Sequence, residues 1–181
     1  MKPRVRAISQ LANQGAGQPD IGLFTNDQLK AAGDRDPLSG QSPNRGVIEV
    51  KPASDDAWVT ADGPQVSRYW DKYRQVLVTN YRDFVLVGQD EDGRPVKLES
   101  YRLASNEAEF WSKASHPRAF ANDHEVPFIE YLHRVMLHGT PITSPQEVAW
   151  FLASYARTAM ARVEPKTHLH SLPGDPPLRK P

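Results

Sequence analysis

The chain of 181 residues contains no cysteine, and this absence removes several kinds of chemistry at once. Disulfides, thiolate nucleophiles and zinc or iron–sulfur sites held by cysteine are all excluded. Any bound metal must therefore be held by oxygen or imidazole ligands.

Long apolar stretches are also missing. No run approaches the roughly 18 apolar residues of a membrane-spanning helix. The segment MKPRVRAISQLANQG at the start lacks the apolar core of a secretory signal. We therefore expect a cytoplasmic protein with no membrane partner.

Excess charge of one sign is the third absence, since 22 basic and 22 acidic side chains give a formal net charge of zero. A field that attracts nucleic acid to the whole molecule is thus not expected, and any DNA-binding surface must be local. One candidate is the start of the chain, which is basic. The other is SRYWDKYR at 67–74, although a solvated helix face is an equal alternative. These two segments contribute the basic residues Lys2, Arg4, Arg6, Arg68, Lys72 and Arg74, and the second interleaves them with Tyr69, Trp70 and Tyr73.

Strand patterns fill the first hundred residues. RVRAIS, DIGLF and GVIEVK precede a helix from about Gln65 to Arg74, and QVLVTN, DFVLVGQ and VKLESYRL follow it. The polar segment PASDDAWVTADGP is interpreted as a loop, with Asp55 and Asp56 as solvated acids. Asp92-Gly93 suits a tight hairpin. The predicted order is β, β, β, α, β, β, β, an α/β domain over residues 1–104.

Helix patterns fill residues 105–163. Ser105 is the predicted cap of SNEAEFWSKA, with Glu109 behind it. DHEVPFIEYLHRVMLHG has an apolar stripe, and TSPQEVAWFLASYARTAMARV opens with a cap and a proline. The proline-rich residues 164–181 are predicted to be a disordered tail or linker. The stripe consists of Phe128, Leu132, Val135 and Met136.

Two opposite charges occur in the apolar segment GVIEVKP. Because residues two apart on a strand share a face, Glu49 and Lys51 project together, opposite to Ile48 and Val50. They can form a simple ion pair. A carboxylate that binds a divalent cation beside a lysine is also the core of metal-assisted phosphodiester cleavage, which needs a second acid from another strand. Asp20, at the start of DIGLF, is the candidate.

These residues resemble the motifs of the PD-(D/E)XK nuclease superfamily, as Pro19-Asp20 and Glu49-Val50-Lys51. The resemblance extends to Gln65 and Tyr69, which match the Gln-x-x-x-Tyr motif that several branches carry on the next helix. It implies a restriction-endonuclease-like fold, with a mixed central β-sheet and flanking helices.

The resemblance also implies roles for the residues. Asp20, Glu49 and the backbone carbonyl of Val50 would hold Mg²⁺ or Mn²⁺, and Lys51 would position the attacking water or balance developing charge. Gln65 and Tyr69 would support the metal site or contact the DNA backbone.

Over residues 4–103 the sequence is similar to the N-terminal nuclease region of restriction–modification polypeptides that also carry an adenine-specific DNA methyltransferase. The implied partners are DNA and a methyltransferase or specificity region on the same or an adjacent chain. Two departures stand out. No methyltransferase motif is present, and the helix that usually opens the nuclease core, often with an acidic residue, is missing before Asp20. We therefore expect one sheet face to lack cover.

The alternative function is a truncated, non-catalytic module that contacts DNA or acts as a scaffold in such a methyltransferase assembly. Each candidate residue also has a simpler interpretation, which for Glu49 is a surface acid on an edge strand. Asp20 can be a turn residue and Lys51 a lysine that protects a strand edge. Gln65 can open a helix, and Tyr69 can be an ordinary core tyrosine.

Overall fold

The computed structural model describes residues 5–9, 11–30 and 41–163. Lys2, Arg4 and the predicted tail lie outside these residues. The described chain is α/β, with a mixed sheet of six strands flanked by helices, which confirms the predicted class and all six predicted strands. The strands are β1 (Val5–Ser9), β2 (Ile21–Thr25), β3 (Val47–Val50), β4 (Val76–Thr79), β5 (Asp83–Gln89) and β6 (Pro95–Arg102). The helices are α1 (Asn26–Lys30), α2 (Ala57–Ala61), α3 (Pro64–Tyr73), α4 (Glu107–Ala114), α5 (Pro117–Leu137) and α6 (Pro145–Val163).

The six described strands follow one another across the sheet in chain order, and among them only β3 and β4 pair in parallel. That pairing brings two backbones close together at Gly46, just before β3. Gly46 has a φ of 81°, and a Cβ at this position would lie 2.3 Å from the carbonyl oxygen of Gln75. Only glycine fits this approach.

One face of the sheet is covered by α2 and α3. Helix α3 has Pro64 at its first turn and ends at Arg74, which adopts the left-handed conformation with a φ of 60°. Its apolar residues recur at helical spacing and pack on β3, β4 and β5. The buried residues of α3 are Val66, Tyr69, Trp70 and Tyr73.

The loop predicted between β3 and α3 contains a helix, so this part of the prediction is wrong. Asp56, predicted to be a solvated loop acid, is the N-cap of α2, and its carboxylate accepts hydrogen bonds from the backbone N–H groups of Trp58 and Val59. Ala57 and Ala61 are buried in the core. The short helix α1 was not predicted either.

The opposite face is covered by α5, whose Tyr131 and Val135 are fully buried against Leu77 and Leu86 of the sheet. The predicted stripe therefore packs, apart from Met136, which lies outside this cluster. The expectation that one face lacks cover is wrong, because a helix that follows the sheet in sequence supplies it. Helix α5 also begins earlier than the pattern indicated, at Pro117.

Two helix caps were predicted, and one is displaced by a residue. Asn106, not Ser105, caps α4, because its side chain accepts from the N–H of Glu109 at 2.9 Å. The Glu109 carboxylate in turn accepts from the N–H of Ser105 at 2.7 Å. At α6 the prediction is confirmed, since Ser144 Oγ accepts from the N–H of Glu147 at 3.2 Å.

The chain divides between Ile142 and Thr143 into two units. The first contains the sheet with α1 to α5, and the second contains α6. Across the described residues, no helix combines the length and apolar character needed to cross a membrane.

Candidate functional site

The candidate site lies where β2 and β3 separate. Their pairing stops at Ile21 opposite Ile48, so the N–H of Val50 faces no strand residue on that side. Instead it donates to the Asp20 carboxylate, with 2.7 Å between N and Oδ2. Asp20 therefore lies at the point where β2 and β3 separate, and its side chain points to the end of β3.

The carbonyl of Val50 points toward the same edge. Residues 47 and 51 donate their N–H groups to the carbonyls of Gln75 and Thr79, on the β4 side of the strand. Because bonding direction alternates along a strand, and the N–H and C=O of one residue share an edge, both polar groups of Val50 face Asp20. This edge thus presents a carboxylate and a backbone carbonyl together.

Glu49 is buried, with 3% of its surface exposed, on the face that also carries the core residue Val47. Its Oε1 accepts from Lys51 Nζ at 2.6 Å, whereas its Oε2 is buried without a hydrogen-bond partner. Burial raises the pKa of Glu49, and the nearby Asp20 charge adds to this, against the lowering effect of Lys51. A buried carboxylate oxygen without a hydrogen-bond partner destabilises the folded protein unless another group binds it.

Lys51 joins Glu49 to helix α3. Its Nζ also donates to Gln65 Oε1 at 3.2 Å, and Gln65 Nε2 donates to the Tyr69 hydroxyl at 3.0 Å. These two bonds fix the orientation of the Gln65 amide. The hydrogen bond to Glu49 raises the pKa of Lys51, so the ammonium stays charged at neutral pH.

Tyr69 supports the segment that leads to Asp20. It is almost fully buried, and a Cβ on Gly17 would lie 3.2 Å from its ring carbon Cε1. Gly17 has a φ of 108°, so a larger residue there would be strained and would crowd the ring. Tyr69 therefore packs against the backbone three residues before Asp20.

All five predicted side chains thus converge: Asp20, Glu49, Lys51, Gln65 and Tyr69. Two carboxylates and a carbonyl form an all-oxygen set of the kind that Mg²⁺ and Mn²⁺ prefer, and the unpartnered oxygen of Glu49 suits a cation. In the described part of the chain, no group of three or more His, Cys, Asp or Glu residues is arranged to hold a metal. Water or substrate oxygens would have to complete the coordination.

The second predicted basic segment is only partly suited to binding. Arg68 and Lys72 on α3 and Arg74 at its C-cap are exposed, but the aromatic residues between them are buried. Lys72 donates to the carbonyl of Gln14, and Arg74 lies 4.8 Å from the Trp70 ring centroid. These aromatic rings are therefore not placed to stack on a ligand.

A polar turn beside the site, between β4 and β5, was not predicted from the sequence. Asn80 is fully buried, and its side chain donates to the carbonyl of Asp55 at 2.7 Å. Arg82 Nε donates to the carbonyl of Ala53 at 2.9 Å. These hydrogen bonds hold the turn against residues 53–55, which follow Lys51 in the chain. An asparagine directly after an apolar strand was the only signal, and it indicates no more than a turn.

No protein-family model, curated protein or solved structure matches this chain.

Proposed function

We propose that this chain is a divalent-metal-dependent endonuclease of the PD-(D/E)XK type, which cleaves phosphodiester bonds in DNA. Its setting would be a restriction–modification system with an adenine-specific methyltransferase region. The observation that carries the proposal is the convergence of Asp20, Glu49 and Lys51 where β2 and β3 separate.

The positions of the motifs support a restriction-endonuclease-like arrangement. Asp20 directly precedes β2, Glu49 lies within β3, and Lys51 follows its last residue. Gln65 and Tyr69 belong to α3, in the crossover that joins the parallel pair β3 and β4. The three short motifs lie on these elements and meet at one point. Surface charges placed by chance would not be expected to do so.

Asp20, Glu49 and the Val50 carbonyl would hold the metal ion. When bound, such an ion polarises a phosphate oxygen and lowers the pKa of an attacking water. Lys51 supplies a charged donor on the same strand face, which can orient that water or stabilise the negative charge that develops on the phosphate. Gln65 limits the positions that the ammonium can adopt, because it accepts from Lys51 and is itself held by Tyr69.

The direct test is cleavage of supercoiled plasmid with Mg²⁺ or Mn²⁺ by the wild type and by Glu49→Ala and Lys51→Ala. Both variants should lose cleavage and stay folded. Glu49→Ala removes a buried carboxylate whose charged state burial disfavours, and in Lys51→Ala the same carboxylate can take up a proton. Glu91→Gln, in the exposed β5–β6 turn, is the matched control and should cut normally. Calorimetric titration with Mn²⁺ should detect binding to the wild type and not to Glu49→Ala.

Two results would contradict the proposal. One is cleavage that persists in Glu49→Ala. The other is a wild type that binds DNA but neither cuts it nor binds Mn²⁺, which would favour the non-catalytic DNA-contacting module.

A further inference from the structure

Tyr81, in the turn between β4 and β5, combines an unfavourable backbone with an exposed ring. Its φ is 69°, in the left-handed region that bulky residues rarely adopt, and 53% of its surface is exposed. Among the described residues, the only other non-glycine residue with a positive φ is Arg74. Arg74 ends helix α3, where this conformation is common. Tyr81 ends no helix and lies instead in a hairpin turn, where glycine, asparagine or aspartate usually takes the positive φ.

The turn holds Tyr81 in this conformation through polar contacts. The N–H of Tyr81 donates to Thr79 Oγ1 at 3.0 Å, and the same hydroxyl donates to the carbonyl of Asp83 at 2.9 Å. Asn80 Oδ1 accepts from the N–H of Asp83 at 2.7 Å. The surrounding structure therefore maintains the strain, although the Tyr81 ring is left largely in solvent. Unfavourable backbone conformations that persist in this way cluster at functional sites.

The turn is fixed to the candidate site. The N–H of Lys51 donates to the carbonyl of Thr79 at 2.8 Å, two residues before Tyr81. Asn80 and Arg82, on either side of Tyr81, both donate to the carbonyl of Asp55 in the segment after Lys51. The parallel strands β3 and β4 end at the same end of the sheet, where their last residues, Val50 and Thr79, are paired. The backbone of Tyr81 is thus held in register with Lys51.

We infer that Tyr81 is a DNA-contacting residue, whose ring packs on a base or deoxyribose of duplex DNA beside the phosphate at the candidate site. This inference rests on the proposed nuclease function. Aromatic rings on nucleic-acid surfaces bind by stacking and apolar packing, which needs an exposed face at a fixed position. The aromatic residues of α3 are buried, so they do not offer one. The exposed ring of Trp58 already has Lys97 Nζ 5.5 Å from its centroid.

Three substitutions separate the ring from the backbone and from the hydroxyl. Tyr81→Asn and Tyr81→Gly remove the ring and place a residue that tolerates the left-handed conformation. Tyr81→Phe keeps the ring. Affinity for a fluorescent duplex is measured by anisotropy in EDTA over a range of salt, and plasmid cleavage is measured with Mg²⁺.

Tyr81→Asn and Tyr81→Gly should weaken binding about fivefold or more, which corresponds to the loss of one stacking contact. Tyr81→Phe should stay within about twofold of the wild type, since it keeps the packing surface. The slope of log affinity against log salt should not change, because the ring replaces no phosphate counterion. Plasmid cleavage should follow binding in all three variants.

Thermal unfolding distinguishes a DNA-contacting role of the Tyr81 ring from a structural role. Tyr81→Gly should melt at the same temperature as the wild type or higher, because it relieves the strained backbone. Arg74→Gly is the matched control for this measurement, since it relieves the same kind of strain at a helix end.

Several outcomes would overturn the inference. Tyr81→Asn that binds and cuts like the wild type would do so, as would a Tyr81→Phe variant that loses as much as Tyr81→Asn. A marked fall in melting temperature in both ring-deleted variants would show that the ring is structural. If the wild type cuts and Tyr81→Asn cuts equally well, this inference alone fails. A wild type that neither binds nor cuts DNA would defeat the proposed function as well.

Discussion

The carboxylate of Asp20 accepts a 2.7 Å hydrogen bond from the backbone N–H of Val50. This bond continues the contact between β2 and β3 by one step beyond their last paired residues, Ile21 and Ile48. It also fixes the position of the Asp20 side chain, because it binds that side chain to a backbone N–H that would otherwise face water. Asp20 therefore has a structural role that is independent of any metal.

Asp20→Asn and Asp20→Ala should differ in stability but not in metal binding. The asparagine carbonyl can still accept from Val50, so Asp20→Asn should stay within about 0.5 kcal/mol of the wild type. Asp20→Ala loses the bond and should cost about 0.5–1.5 kcal/mol in urea unfolding. Under the proposed function, both variants lose Mn²⁺ binding in calorimetry. Tight Mn²⁺ binding by either one would remove Asp20 from the metal site.

The raised pKa of Glu49 predicts a pH dependence of stability. The folded protein holds the Glu49 proton more tightly than the unfolded chain does, so the free energy of unfolding should fall as pH rises above 4.5 through the raised pKa. Glu49→Gln removes this decline, and its stability advantage over the wild type should grow across that interval.

Urea unfolding at a series of pH values between about 4 and 8 measures this effect, within the range where Lys51 stays charged. The substitution changes no other titratable side chain, so the difference between the two proteins isolates Glu49. A Glu49→Gln variant that is less stable at pH 7 than at pH 4.5, relative to the wild type, would contradict the prediction.

Two buried tyrosines form a matched pair. The Tyr69 hydroxyl accepts from Gln65 at 3.0 Å, whereas the Tyr131 hydroxyl is buried without a partner. Burial also raises the pKa of Tyr131 far above its ordinary value. Tyr69→Phe should cost about 1 kcal/mol, and Tyr131→Phe should be neutral or stabilising by about 1 kcal/mol. Chemical denaturation checks both, and equal losses in the two variants would show that the hydroxyl environments are not as different as the structure indicates.

Helix α5 is joined to β6 by a buried ion pair. Arg134 Nε lies 2.9 Å from Glu99 Oε1, and the two side chains are 3% and 13% exposed. Arg134→Met leaves the Glu99 charge buried and should cost about 3–5 kcal/mol. Adding Glu99→Leu should recover most of this loss, because an apolar pair needs no compensating charge. Unfolding curves of the two single variants and the double variant test this, and a double variant that is less stable than Arg134→Met would contradict it.

Strand alternation predicted more of this molecule than helix patterns did. The apolar segments between glycine and proline turns gave all six strands, and alternation within β3 put Glu49 and Lys51 on one face. Helix α2 was missed because AWVTA is too short to show a helical period. Its position depends instead on the Asp56 cap and on burial of Ala57 and Ala61.

The surroundings of the candidate site were harder to predict than its principal residues. The hydrogen bond from Val50 to Asp20 exists because β2 stops pairing, which the sequence does not reveal. Asn80 and Tyr81 belong to a turn whose backbone is held by side-chain bonds of Thr79 and Asn80 within the turn. Its position also depends on a bond to Asp55, which is distant in sequence. Local propensity assigns glycine or asparagine to a left-handed position, so it gives no reason to expect tyrosine there.

The strand order has a consequence for how the chain folds. β4, β5 and β6 are antiparallel neighbours joined by short turns, whereas the parallel pair β3 and β4 forms only after the crossover with α2 and α3 has closed. Pairings that close longer loops are slower to form. Glu49 and Lys51 lie at the end of β3, and Gln65 lies in the crossover between β3 and β4. The contacts among these three residues should therefore be absent from the folding transition state. In stopped-flow experiments, substitutions at these residues should change the unfolding rate and leave the folding rate nearly constant.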